Sequence, residues 1–554
     1  MVLRGLHGTA DEPIVLEGVL DGAPEQIDPR DAPNFPQVIH SEPDFDEDRR
    51  KFRTWFGGDV KEDQFRLAAN ATAHHREAGG HYPTIAEVAD QAMLTLIDCQ
   101  HVVIRNIGFA NCWPTAIYID NCQFITLDQL RFEGGTYCIG ANGRNTHDLV
   151  VQNCRYSGNS KLWDTIDWKQ VHGALDTQHP VNLRQDHRHL DGDFFRAWNV
   201  FGNVTIRNNW IGNCFNAIHF FSHNDGRRRD LSKAEFDPHN DAYDEQGMTN
   251  PLDLISNINV LVENNRFYRI RDNCVEPETF AYNWVVRYNR FDVCYRPFSL
   301  GLRQGGWFYV YGNAGVLTSK PGGEKHNTPS LMKLPKKMNA GGPFVFAHNS
   351  WLLRKKSFGK RMLRGLRHYN NAIEFLYSNS GSSDANPKAG GLFGGGPWNK
   401  TPTAENPYPN RNRNFARNWD LLDIRSDGDL SNDAFVFGAG RVGAHYSDVG
   451  YDIGSSMKYA PNVLNSTGKN LLKMHKDAIA LQSPVSFTVS MPRRKFEKNP
   501  SEVQIKAGDQ CGAFMKDGSL FDPFASLPAQ FGKDFPFLPK VAHEKTCAGG
   551  IQSA

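Results

Sequence analysis

The sequence predicts an all-β solenoid with long loop insertions and capped ends. Three observations carry this. Short alternating runs end on Asn and an aromatic residue at 260–267 (VLVENNRF), 285–291 (VVRYNRF) and 308–313 (FYVYGN). A second short apolar run follows the closing aromatic, at Cys274-Val275 and again at Phe298 to Leu300. The same ending recurs upstream at 102–109, 124–132, 149–156 and 204–210, and more loosely downstream at 344–351 and 372–379. A unit of roughly two dozen residues cannot bury its own apolar face, whereas units stacked on one another can.

Each element follows from local chemistry. Alternating β-branched and polar residues predict strands, and Asn or Gly between them predicts tight corners that tolerate left-handed backbone. An ordinary β-sandwich is the alternative, but sandwich strands do not share one Asn-x-Phe ending. Residues 1–98 read as the first coil and an N-terminal cap, with strand-like segments at Val2 and at Ile14 to Leu16 and a short helix over 84–93. Residues 99–380 read as the regular core, interrupted by insertions at 157–190 and 222–256 that are rich in His, Trp, Asp and Arg. Long loops flanking one coil are where a solenoid builds a site. Residues 352–367 hold a basic run, read as a solvated helix or loop or as a contact for an acidic polymer. Residues 381–554 read as loop-rich C-terminal coils and a cap of the same domain, with the segment 507–514 closing it.

Composition bounds the function. The chain has 554 residues and a net charge of +1, so bulk charge does not make it a polyanion binder. No apolar run approaches the ~20 residues that span a membrane. Met1 to Leu6 lacks the charged head and apolar stretch of a secretory signal. The ten cysteines show no CxxC or zinc-ribbon spacing. Cys112, Cys214 and Cys294 each lie three residues past the closing position of a unit, which predicts a stack of small buried thiols. There is no P-loop, dinucleotide fingerprint or Gly-x-Ser-x-Gly elbow.

The coil pattern over 99–380 resembles the right-handed parallel β-helix of pectate-lyase-like carbohydrate-active enzymes. The resemblance implies a single-stranded right-handed parallel β-helix, a polysaccharide or oligosaccharide substrate, and secretion or the periplasm as the compartment. Nucleic acid and membrane are not expected partners, and a dimer or trimer fits the class. The signature motifs of pectate lyases and polygalacturonases are absent, so no catalytic residue carries over from them.

Candidate site residues come from strand register. Inward Ile218 and Phe220 put His219 outside, and inward Val275 and Pro277 put Glu276 and Glu278 outside. A rigid count would pair Glu276 with Phe220 and bury a carboxylate, so a one-residue slip that exposes it beside His219 is preferred. Asp191, Asp193, Arg196 and Trp198 lie on the preceding coil, Arg296 and Arg303 on the following one, and Tyr118 two or more coils away. Glycoside hydrolysis or transglycosylation needs an acid and a second carboxylate. Glu276, its pKa raised by Glu278 or by partial burial, is the acid, Asp193 is its partner, and His219 tunes the pair. A polysaccharide lyase or C5-epimerase on a uronate polymer is the alternative, with His219 as base and Arg296 or Arg303 as neutraliser, although no Lys stands at these strand positions. A non-catalytic glycan-binding solenoid is the third reading. The plainer readings are a salt bridge from Glu276 to Arg296 or Arg271, and a hydrogen-bonded structural role for His219. No cofactor is required; calcium is the first ion to consider, in the oxygen-rich segments 186–193 and 237–245.

Overall fold

The computed structural model describes residues 1–22, 49–57, 92–110, 115–134, 137–158, 163, 192–198, 200–221, 257–317, 329–333, 344–353, 356–358, 366–375, 391–393, 429–431, 434–437, 487–490 and 502–505. Most of its strands stack into three parallel columns wound as a right-handed parallel β-helix, the sense that parallel crossovers favour, while Phe487–Ser490 and Glu502–Ile505 form a separate antiparallel pair. One column is 11-stranded, and each of its strands marks a coil. The first coil is already formed by Val2–Arg4, Ile14–Glu17 and Trp55–Gly57. A typical later coil runs Asp193–Trp198, Gly202–Arg207, Trp210–Gly212 before the next begins at Asn216–Phe221.

The corners explain the asparagines. Between the second and third strands of successive coils, Asn106, Gln129, Asn153, Asn208, Asn264, Tyr288, His348 and Asn370 all have positive φ. In this conformation Cβ approaches the following carbonyl oxygen at a cost of about 1–2 kcal/mol, which Asn offsets because its short polar side chain bonds locally. Gln129, at φ 52°, departs from the Asn rule. Gln129→Asn is therefore expected to stabilise the fold by about 0.5–1 kcal/mol, seen as a higher midpoint in urea; an unchanged or lower midpoint would contradict this account of the corner.

The residue after the corner turns inward. Asn209, Asn265, Asn289, Asn313, Asn349 and Asn371 form a buried ladder, each of the first five donating from Nδ2 to Oδ1 of the next at 2.9–3.1 Å. The same Oδ1 atoms accept the backbone N–H of the coil before, as from Asn265 to Asn289 at 2.9 Å. The closing aromatics then stack inside the lumen: Phe56 on Phe109, Phe109 on Phe132, and Phe267 on Phe291 at 4.8–5.3 Å between ring centres. Gly315 occupies this column beside Trp351, whose ring lies 2.5 Å from where a Cβ on Gly315 would sit, so the larger ring requires the glycine.

The cysteines among the described residues are buried thiols outside any disulfide. Register places Ile270 between Cys214 and Cys294, so these two thiols alternate with an aliphatic side chain instead of forming a continuous stack. Cys154 occupies the ladder column ahead of Asn209, its N–H donating to Asn209 Oδ1 at 2.8 Å. Cys112, the 84–91 part of the expected helix, most of both insertions and the 507–514 closing segment lie outside the described residues. The basic run is not one helix or loop: it contains strands Lys356–Phe358 and Leu366–Tyr369. Among the described residues no helix is long and apolar enough to cross a membrane.

Candidate active site

One outward column of the first sheet carries the ionisable side chains. Register aligns Thr95, Tyr118, Gly140, Arg196, His219 and Glu276 in successive coils. Val275 opposite Phe298 sets Ser299 beside Glu276, and Ser299 pairs with Lys333. Strands sit about 4.8 Å apart, so side chains distant in sequence become neighbours. His219 stands opposite Glu276, and Phe220 opposite Pro277. This is the slipped register, not the rigid count.

The slip does not expose Glu276. Asp193, Arg196, His219 and Glu276 are each 2 % exposed or less. Burial of a carboxylate is costly unless partners replace water, and here they do. Ser299 Oγ donates to Glu276 Oε1 at 2.8 Å, Lys333 Nζ lies 3.4 Å from the same oxygen, and His219 Nε2 lies 3.8 Å from Oε2. Burial pushes the Glu276 carboxyl up, but Lys333, His219 and the hydrogen bonds of Ser299 and Asn273 outweigh it and hold it down at about 2. The Glu276 carboxyl is thus held toward its ionised form, the opposite direction to the raised pKa expected from the sequence. Lys333 and His219 are the charged or chargeable groups beside it.

The sequence reading missed two residues. Asp272, in the turn before the strand Asn273–Arg287, lies 4.0 Å from Lys333 Nζ. Burial, with Glu276 adding to it, raises the Asp272 carboxyl to about 6 against the opposing pull of Lys333, Arg296 and Arg271. Lys333 belongs to the short strand Met332–Lys333 and its side chain remains 45 % exposed. It is the strand lysine that the sequence seemed to lack. A turn aspartate and a two-residue strand leave no periodic signal; only the repeat of Leu331-Met332 after the preceding unit's Phe298 to Leu300 hinted at them.

The other end of the cluster is a clamp. Arg196 Nη1 pairs with Asp193 Oδ2 at 3.1 Å, and Nη2 donates to His219 Nδ1 at 2.9 Å. Its guanidinium lies over Tyr137, 4.8 Å from the ring centre, and 5.9 Å from that of Trp198. Tyr118, Tyr137 and Trp198 pack together and are buried. Tyr118 and Trp198 therefore offer no open face for a sugar, and Trp198 with Tyr137 flanks Arg196 instead. Asp193 lies in this clamp, not beside Lys333. Arg296 stacks on Tyr295 at 4.0 Å and donates to its hydroxyl. Asp191 and the side chains of Glu278 and Arg303 lie outside the described residues. So do most of 186–193 and all of 237–245; among the described residues no group of three or more His, Cys, Asp or Glu is set to hold a metal ion.

No family model matches this chain, and no curated protein matches it. Solved structures do. PfbA, a surface adhesin of Streptococcus pneumoniae, is similar at 12% identity and TM-score 0.31, over 51% of this chain and 61% of that one. An exopolygalacturonase from Thermotoga maritima is similar at 10% identity and TM-score 0.28, over 52% and 63%. A pectate lyase bound to hexasaccharide is similar at 11% identity and TM-score 0.26, over 77% and 83%. The chain thus spans about three fifths of the first two. The fold itself stands on the strand register described above.

Proposed function

We propose that this protein is a carbohydrate-active enzyme that cleaves glycosidic bonds of a polysaccharide or oligosaccharide, by hydrolysis or by transfer to a second sugar. The coil pattern supports the substrate class. One observation carries the chemistry: two carboxyl groups share the half-exposed Lys333, and their surroundings push their pKa values apart, Asp272 to about 6 and Glu276 to about 2. Such a split assigns acid and base roles. Asp272 holds the proton for the leaving oxygen, and ionised Glu276 acts as general base or nucleophile. Lys333 lies against both carboxyl groups and carries the half-exposed end of the cluster.

Lys333 also favours a second reading. A lysine in this column is a suitable base for removing the proton beside a uronate carboxyl, which makes β-elimination or C5-epimerisation the rival chemistry. A panel of neutral and acidic polysaccharides, followed by reducing ends and by the ultraviolet absorbance of an unsaturated sugar, separates the two. Reducing ends alone support hydrolysis. A rise in both signals moves the chemistry to Lys333. Silence across the panel sinks both cleavage readings.

The pKa pattern predicts a pH profile for hydrolysis. Asp272 loses its proton as pH rises through about 6, so kcat falls there, while Glu276 stays ionised down to about 2 and gives no acid limb above it. Asp272→Asn is expected to lower kcat about 10²–10⁴-fold and to abolish the limb near 6; a limb that survives in this variant would remove Asp272 from the role.

A further inference from the structure

We infer that Arg196 fixes His219 as the neutral imidazole protonated on Nε2, and so aims that proton at Glu276. A guanidinium has N–H donors and no acceptor. The 2.9 Å contact from Arg196 Nη2 to His219 Nδ1 is therefore a hydrogen bond only if Nδ1 carries a lone pair. The neutral ring's remaining proton is then on Nε2, the nitrogen facing Glu276 Oε2 at 3.8 Å. The opposite tautomer would point an Nδ1–H at an N–H donor only 2.9 Å away.

Arg196 suits this task because it is itself immobilised. Asp193 holds Nη1, the Tyr137 ring lies against its plane, and the side chain is 1 % exposed. The planar guanidinium thus hydrogen-bonds His219 while it ion-pairs with Asp193, a combination of shape and charge that an ammonium does not reproduce. The chain of influence runs from Asp193 through Arg196 and His219 to Glu276. Arg196 is a positioning residue, and His219 turns its Nε2–H dipole toward the Glu276 carboxylate from 3.8 Å, beyond direct hydrogen-bonding distance, and does not serve as a base that accepts a proton. This revises the lyase role that the sequence suggested for His219.

The inference rests on the same cluster as the proposed activity, but its first test needs no substrate. Long-range proton–nitrogen spectra of the full chain labelled with ¹⁵N-histidine report protonation of each ring nitrogen at neutral pH. With 20 histidines present, His219 is assigned by the signals lost in His219→Gln or, should that chain not fold, by those that shift in Arg196→Lys. The expected result is an unprotonated Nδ1 and a protonated Nε2. A protonated Nδ1, alone or in an imidazolium stabilised by Asp193 and Glu276 despite Arg196 and Lys333, would overturn the inference.

Arg196→Met should release the ring, with Nδ1 becoming protonated toward Asp193 and kcat falling about 10–100-fold while KM moves less than about threefold. Arg196→Lys, still a donor, should retain the Nε2–H form and recover part of kcat. An unaltered spectrum in folded Arg196→Met counts against the clamp, and if that chain does not fold the wild-type spectrum decides. The expected tautomer in a protein that cleaves no glycan would sink the proposed activity and leave this inference standing.

Discussion

Glu276→Gln is expected to lower kcat by at least about a thousandfold with the fold intact, measured on whichever glycan the panel identifies and checked by thermal melting. The substitution keeps the shape and still lets Ser299 donate to the side-chain oxygen, but it removes the carboxylate charge that both Lys333 and His219 face. An amide neither accepts a proton from water nor attacks a sugar carbon. It also leaves Lys333 with Asp272 as its remaining carboxyl partner, which draws Asp272 toward ionisation and away from the acid form. One change thus impairs both halves of the pair. Full activity in Glu276→Gln would show that the cluster is structural and that chemistry resides elsewhere on the helix. If β-elimination by Lys333 is the reaction, the loss should be partial and accompanied by an altered pH dependence, because Glu276 then only tunes the lysine.

The fold was legible because a solenoid writes the same physical demand into every coil. The Asn-x-Phe ending betrayed the repeat, yet it hid a division of labour. In 260–267 the first asparagine, Asn264, is the left-handed corner, while the second, Asn265, turns inward to the ladder. Reading both as turn residues located the corners but missed the interior hydrogen bonds. In 285–291 Tyr288 takes the corner and only Asn289 remains, so the ladder position is the more faithful mark of a coil here.

The site was partly legible for the same reason. Strand parity placed His219 and Glu276 on one face because Ile218 and Val275 had to face the core. Parity says nothing about what lies over an outward side chain. Glu276 was expected to be exposed and is buried, and that burial, with the partners that offset it, sets its chemistry. Asp272 and Lys333 escaped because a turn and a two-residue strand carry no alternation.

Asn289→Ala should be the most damaging single change to the helix away from the site. It removes an oxygen that accepts two hydrogen bonds from the coil before, the Asn265 N–H at 2.9 Å and Asn265 Nδ2 at 3.0 Å. It also removes the Nδ2 donor serving Val262 O at 2.9 Å and Asn313 Oδ1 at 3.1 Å. All of these groups are sealed in the lumen, where water does not replace them. Two orphaned donors at about 1–3 kcal/mol each give an expected loss of about 3–5 kcal/mol, a large share of a net stability of about 5–15 kcal/mol. Asn209→Ala provides the internal control. It also lies in the ladder, but the backbone group ahead of it belongs to Cys154, so its oxygen receives one donor, the Cys154 N–H at 2.8 Å. It should cost about half as much. Urea unfolding of the two variants, followed by tryptophan fluorescence, tests the order. Equal losses would mean that the ladder acts through packing, whereas the larger loss at Asn289 would show that unsatisfied hydrogen bonds between neighbouring coils hold the stack in register.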